Sequence, residues 1–556
     1  MNRAPTNNPS LRAWVDTVCE HTRPAQVRWW TGSRAEREQL AASMVARGRL
    51  VPLDTAAKPR CFLYLSHLDH VASDPAYTFM STHRSVDVGP TNKWMSCDDA
   101  HALIWPLLHE AMRDRTLYVV PYLLGMPNSP FCRVGVELTD SPYIALCLDT
   151  LTQTGKAALD HLGSSLSFAR GLHSSRPQPL DRHFVVHFPD TVETWSIGTE
   201  SLEDSLLASG FQGRRLASAQ AREEGWLAEN MAIAAISDPA GRAIHVAIAA
   251  ANGCADAELV TMRARGWKVE LCSRNACWMR PGRDGRLWAI CPELGRWERM
   301  TDLFERLDEP RERIAVRDAI FSDTVSPLQG GVEPRGPLER ARCLVRLHAQ
   351  GGAADRVRAA EGVPLSAIIF CGRHAQASPV VYQARSWRHG VYVGATLVDE
   401  LNGTNQARHD PMGMLASCGY NLGDYFAHWL AVGRKLHSPP AIFHINWFRT
   451  DAEGRRLWRG GADNLRIFEW IAGRVHADAS ARATAIGWVP ELGALDTAGL
   501  DVSPDRLLQL TSSNHGPLLG QAERARAFLM RFGDSLPPPL LVEHRYLVRH
   551  LHESLH

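Results

Sequence analysis

IHVAIAAA, residues 244–251, is the run whose reading sets the class of this chain. Eight residues that are apolar except for His245 make one strand buried on both faces, the kind found in the middle of a covered sheet. The following NGCADAE, residues 252–258, is small and polar and predicts a loop. Working outward towards the C-terminus, strands and helices alternate through WKVEL (267–271), RLWAI (286–290), SAIIFCG (366–372), HGVYVGA (389–395) and AIFHINWF (441–448). Towards the N-terminus, residues 217–235 predict a helix. HFVVHF (183–188) and ETWSIG (193–198) predict a hairpin, and LYVVPYLLG (117–125) and CRVGVELTDSPYIAL (132–146) are β-rich. CFLYL (61–65) is a further strand. The first 60 residues look helical: Trp14, Val15 and Val18 share a face, and a second helix over 34–49 starts after Ser33 as N-cap. These elements predict an α/β architecture with mixed sheets in at least two lobes, the loose linkers being 296–318 and 350–362.

Composition closes off several functions. The 556 residues carry 61 Lys+Arg against 60 Asp+Glu, so a net charge of +1 gives no global attraction to nucleic acid or an anionic membrane. No window approaches the roughly 18 to 20 apolar residues of a spanning helix, and MNRAPTNNPS has no leader-like apolar region, so the expectation is a cytoplasmic protein. The 12 cysteines include no CxxC pair, Cys272 and Cys277 lying closest, and read as reduced, mostly buried thiols.

Eight strings resemble the GTP-dependent phosphoenolpyruvate carboxykinase family, and in its order: VELTDSPY (136–143), EEGWLAE (223–229), GWKVE (266–270), EGVP (361–364), SWRHGVYVGA (386–395), RHDPMGM (408–414), GYNLGDYFAHWL (419–430) and FHINWFR (443–449). The resemblance implies a two-lobed fold with a cleft between the lobes. Residues 1–225 would be the substrate-binding lobe and 226–556 the nucleotide-binding lobe. It also implies the family's activity, in which oxaloacetate is decarboxylated and the enolate phosphorylated by GTP with manganese.

Carried over residue by residue, the resemblance implies a degenerate nucleotide loop. Asn252 and Cys254 fall within it, Asp256 stands at the position of the phosphate-binding Lys, and Ala257 at that of the metal-binding Thr. An aspartate aimed at a triphosphate is repulsive, about 4 kcal/mol per charge pair at 4 Å and an effective dielectric near 20. The three manganese ligands fall at Gly210, Asn230 and Asn275, which supply no anionic or imidazole donor, so no metal and no cofactor are expected. Of the guanine pocket, Phe448 and Asn464 remain, while two other clamping positions are Arg456 and Gly461. The lid between Gly394 and His409 is short, and GRWERM (295–300) replaces a second nucleotide loop. Asp256 and Arg274 are expected to form an ion pair in the vacated space.

What the resemblance retains is an anion site: Arg342 at an arginine that meets the oxo acid and the transferred phosphoryl group, and Arg373 at its phosphate-binding partner. Guanidinium forks suit carboxylate, phosphate or phosphonate. Two readings stand for the pair, an anion site or interlobe salt bridges. His374 is the candidate general acid, its other reading being a structural histidine, and Cys254 reads as a small buried thiol. The first-lobe carboxylate-binding arginine falls at Ser73 and the glycine-rich substrate loop at residues 201–204, SLED. Five lysines, none at an active-site position, argue against a Schiff base. The expected ligand is therefore a small anionic oxo acid or a phosphorylated or phosphonylated metabolite, with no nucleic acid or membrane partner, bound to a monomer. Three functions follow in order: a metal- and nucleotide-independent decarboxylase or lyase, a catalytically inactive sensor or scaffold, and an authentic carboxykinase.

Overall fold

The computed structural model describes residues 4–553 apart from 54–59, 66–76, 180–181, 200–210, 255–261, 300–317, 323, 326–332, 335–341, 347–351, 401–406, 452 and 501–502. Among these, the strands gather into three main sheets of nine, twelve and five strands. The architecture is mixed α/β, as the sequence predicts.

The nine-stranded sheet runs in the order Gln26–Trp29, Thr116–Leu124, Arg133–Thr139, Ala169–Ser174, Glu193–Ile197, Phe184–Phe188, Thr78–Thr82 and Trp94–Ser96, with Gln153–Thr154 paired off this path. Phe184–Phe188 and Glu193–Ile197 form the expected antiparallel hairpin. Helix Pro9–Thr22, capped by Asn8, buries Leu11, Val15 and Val18 in one cluster with Leu117, Val119 and Val136 of the sheet. The first 60 residues are not all helical, because Gln26–Trp29 forms a strand parallel to Thr116–Leu124 between the two helices.

The twelve-stranded sheet carries Ala243–Ala250 beside Val363–Cys371 and Ala441–Ile445, three adjacent parallel strands. Their apolar runs are continuous because both faces are covered. One cover is helix Trp387–Ala395, which absorbs HGVYVGA with Val391, Tyr392 and Val393 all buried. It approaches closely because Gly390 and Gly394 have no side chain: a Cβ at Gly390 would lie 2.3 Å from Ile442 Cδ1.

The helix predicted over 217–235 is two kinds of structure. Helix Phe211–Glu224 stops at Gly225, whose φ of 78° is left-handed, and strands Leu227–Glu229 and Ala232–Ser237 follow. Ala-Ile-Ala-Ala-Ile suits either period, and the open edge of Ala243–Ala250 decides for the strand. Likewise, the two expected linkers hold strand Gly295–Arg299 and helix Ala353–Arg358.

The five-stranded sheet joins distant parts of the chain: Leu50–Pro52 and Phe62–Tyr64 pair with Ala319–Ser322, Arg342–Arg346 and Gly295–Arg299. No helix among the described residues is long and apolar enough to cross a membrane.

Candidate functional site

The buried strand Ala243–Ala250 ends in a tight turn, Ala251–Gly253, with Asn252 at φ 48° and Gly253 at φ 67°. The Asn252 amide donates to Asp410 Oδ2 at 2.6 Å, and the Leu415 amide donates to Asp410 Oδ1 at 2.9 Å. Burial pushes the Asp410 carboxyl up while these two donors oppose it. Cys254 continues the turn, its amide on the Ala251 carbonyl at 2.9 Å and its thiol 3.7 Å from the Cys371 carbonyl oxygen. Asp256 and Ala257 lie outside the described residues, so the expected pair of Asp256 with Arg274 does too. Arg274 is buried just past strand Trp267–Ser273.

Across the sheet, the chain leaving Val363–Cys371 presents Arg373. Its Nε lies 3.1 Å from Asp399 Oδ1, and its guanidinium carbon is 4.7 Å from the Phe448 ring centroid. Arg456 approaches the same ring at 4.9 Å, so two cations meet one aromatic face system. Burial raises the Asp399 carboxyl and the charge of Arg373 works against that rise. Asn464, fully buried, accepts from Trp458 Nε1 at 2.7 Å. The structure thus brings Arg373, Phe448 and Arg456 together, and engages Asn464 with a tryptophan.

His374, 2 % exposed, is turned elsewhere. Its Nδ1 is 3.9 Å from Glu400 Oε1 and its Nε2 is 3.3 Å from Gln521 Nε2. Burial works against ionisation of Glu400, but His374, the Ala375 amide and Arg524 together hold that carboxyl below its ordinary range. His374 lines a small cavity of about 50 Å³ with Ser378, Tyr382, His389, Tyr392 and His444, room for little beyond a water molecule. His374 is thus enclosed, with Glu400 and Gln521 beside its two ring nitrogens. Arg342 opens strand Arg342–Arg346, its backbone paired with Ser322 and Arg299; its side chain lies outside the described residues, and so does the cleft it was expected to share with Arg373.

Of the positions implied for manganese, Gly210 is outside the described residues. The Asn230 carboxamide donates from Nδ2 to the Gly413 carbonyl at 3.1 Å, and its backbone amide points at Met414 Sδ at 3.1 Å. Asn275 is exposed with φ 62°, and its carbonyl accepts from Arg214 Nη1 at 2.7 Å. A carboxamide that spends its amide group on a backbone oxygen has only a neutral oxygen left to offer, a weaker donor to a divalent ion than a carboxylate or an imidazole. No three His, Cys, Asp or Glu side chains among the described residues gather where they could hold an ion. The two described positions thus offer an ion no anionic or imidazole side chain.

Sequence reading missed Asp399, Glu400, Asp410 and Arg214. The RHDPMGM string pointed at Asp410, and the adjacent Arg214 and Arg215 inside a helix that runs into the apolar LASAQA were a signal for buried charge. Ser73 and residues 201–204 are outside the described residues. A separate cavity of about 750 Å³ lies away from this site, lined by Ala41, Val45, Phe62 and Ile320 with Arg37 and Arg346. Both arginines meet Asp149, one through its carboxylate and one through its carbonyl.

A buried strand that ends in a left-handed turn, with a parallel neighbour on one side and an antiparallel one on the other, is the framework that a P-loop domain would offer. The model of the phosphoenolpyruvate carboxykinase C-terminal P-loop domain matches residues 226–332 and 335–550, and that of the N-terminal domain matches residues 13–222. The chain belongs to the GTP-type phosphoenolpyruvate carboxykinase family. Phosphoenolpyruvate carboxykinase (GTP) of Anaeromyxobacter dehalogenans strain 2CP-C is 36% identical over 579 residues, covering 98% of this chain and 97% of that protein. The protein of the same name from Chlamydia trachomatis serovar D is 34% identical, covering 96% of each. That of Chlamydia felis is 33% identical over 95% of each.

Proposed function

We propose that this chain is a carboxy-lyase of the family that acts on a small dianionic oxo acid held at Arg373, without GTP or manganese. The carrying observation is Asn230: at a position the resemblance gives to a metal ligand, the side chain donates a hydrogen bond to Gly413. Asp256 and Ala257, in place of the loop Lys and Thr, support the same reading. In such a reaction the electrons of the bond to the departing carboxylate flow into the ketone and generate an enolate; carbon dioxide leaves, and solvent returns a proton to carbon. A guanidinium can stabilise the enolate by fixed charge and hydrogen bonding. The Arg373 guanidinium, 22 % exposed and held from one side by Asp399, is the described group best placed to hold the acid.

A second reading, GTP-dependent carboxykinase activity, is favoured by the name that relatives 36% identical over nearly the whole chain carry. Both readings share decarboxylation of a β-oxo acid and differ in the nucleotide. Turnover of oxaloacetate and of a phosphonylated oxo acid, corrected for the spontaneous rate with Arg373→Met, separates them. Release of carbon dioxide unchanged by chelator and by GTP is expected. Turnover that requires GTP and vanishes with chelator would establish the carboxykinase instead. Saturable binding of these acids with no turnover would mark a ligand-binding scaffold. Asp256→Lys alone is expected to create no GTP-dependent turnover, because the metal would still lack its donors.

A further inference from the structure

Arg214, in helix Phe211–Glu224, is 4 % exposed in a part of the molecule that offers it directed acceptors. Its Nη1 donates to the Asn275 carbonyl at 2.7 Å and its Nε to Ser417 Oγ at 3.2 Å. Its charge also acts on Glu293, a buried carboxyl. Ser417 lies on the loop that includes Gly413, the acceptor of Asn230, and Asp410, the acceptor of Asn252. Next to it, Arg215, also buried, donates from Nε to the Ala416 carbonyl at 3.0 Å. One loop, residues 410–418, therefore receives the nucleotide-loop backbone, one implied metal position, and the guanidinium bonded to the other.

We propose that Arg214 is a built-in cation that takes over the charge of the divalent metal in this chain and excludes that metal from the site. The proposal rests on the metal-independent reading above. A guanidinium is buried only where acceptors are aimed at it, and here they include the backbone of the residue that stands for a metal-binding carboxylate. A divalent ion held by the side chain at position 275 would lie near a fixed like charge that is bonded to that residue's own backbone, and burial of the guanidinium leaves water little room to screen it. Replacing the two asparagines by ligating residues is then insufficient for metal binding while Arg214 stays.

The test is the electron paramagnetic resonance signal of free Mn²⁺, titrated with the full-length chain. Asn230→His with Asn275→Asp is expected to bind Mn²⁺ no tighter than wild type. Adding Arg214→Leu to that pair is expected to tighten binding at least tenfold, and adding Arg214→Lys, which keeps the charge, is expected to gain nothing. If Arg214→Leu fails to fold, as judged by thermal melting, Arg214→Gln carries the same comparison. Equal affinity of the double and the charge-removing triple variant would overturn the role of Arg214 while leaving the metal-independent reading standing. Micromolar Mn²⁺ binding by the wild type would overturn both.

Discussion

Arg373 is held by two groups that an anion would have to compete with, a carboxylate at 3.1 Å and an aromatic face at 4.7 Å. Because the pair with Asp399 is partly exposed, it is worth about 1 kcal/mol and not the several of a fully buried one. Asp399→Asn is therefore expected to raise the affinity for inorganic phosphate about fivefold by calorimetry, and Arg373→Met to abolish it. Equal heats from wild type and both variants would remove Arg373 from the anion site. Sequence reading found Arg373 and Phe448 but not their contact. It also found Arg456, as a replaced clamp residue, without foreseeing that its cation would approach the ring it was supposed to leave bare.

At the scale of elements, the loop 410–418 is the junction on which the site depends. Asp410→Ala would leave the Asn252 and Leu415 amides without their carboxylate. Both bonds are only partly buried, so each amide counts near the lower end of about 1 to 3 kcal/mol per unsatisfied donor, and a loss of about 2 kcal/mol is expected in denaturant unfolding. A loss under 0.5 kcal/mol would show that the amides find other acceptors. Asn421 does a similar job at the start of helix Leu422–Arg434, accepting from the Gly423 amide at 2.9 Å and donating to the Val86 carbonyl at 3.1 Å. Asn421→Ala should cost about 1 to 2 kcal/mol and speed hydrogen exchange at the first turn of that helix. These junctions show where sequence reading stops. Strand Ala243–Ala250 was legible because its composition alone requires a covered position. Arg214 was not, because its meaning depends on Asn275 and Ser417, 61 and 203 positions away. Strand Ala232–Ser237 was misread because alanine and isoleucine take the form of whatever edge they meet.

The whole molecule carries buried titrating groups of both signs. Burial holds His389 down at about 3 and His245, His409 and His428 at about 4, so each is neutral in the fold and gains a proton on unfolding below its ordinary 6.5. That stability is present above pH 6.5 and is lost as pH falls towards 4. Burial pushes Glu229 and Glu293 up to about 8, so they keep a proton in the fold that the unfolded chain releases above about 4.5. Their contribution falls as pH rises through 4.5 towards 8. Among these six groups the four histidines outweigh the two acids below 6.5 and the two acids remain above it, so together they drive the melting temperature towards a maximum near pH 6.5. Glu229→Gln, whose oxygen can still accept from Trp429 while its amide group donates to the Tyr425 hydroxyl, should flatten the alkaline side by up to about 1.4 kcal/mol per pH unit. An unchanged alkaline slope would mean that Glu229 is already ionised. The five-stranded sheet bears on how this chain is made. Phe62–Tyr64 needs Ala319–Ser322 as its parallel partner, a segment synthesised some 255 residues later. At roughly 5 to 20 residues per second, a nascent chain carries that strand edge on the ribosome for tens of seconds before its neighbour emerges. The exposed edge during translation, and not the finished molecule, is then where chaperone dependence and misassembly should concentrate.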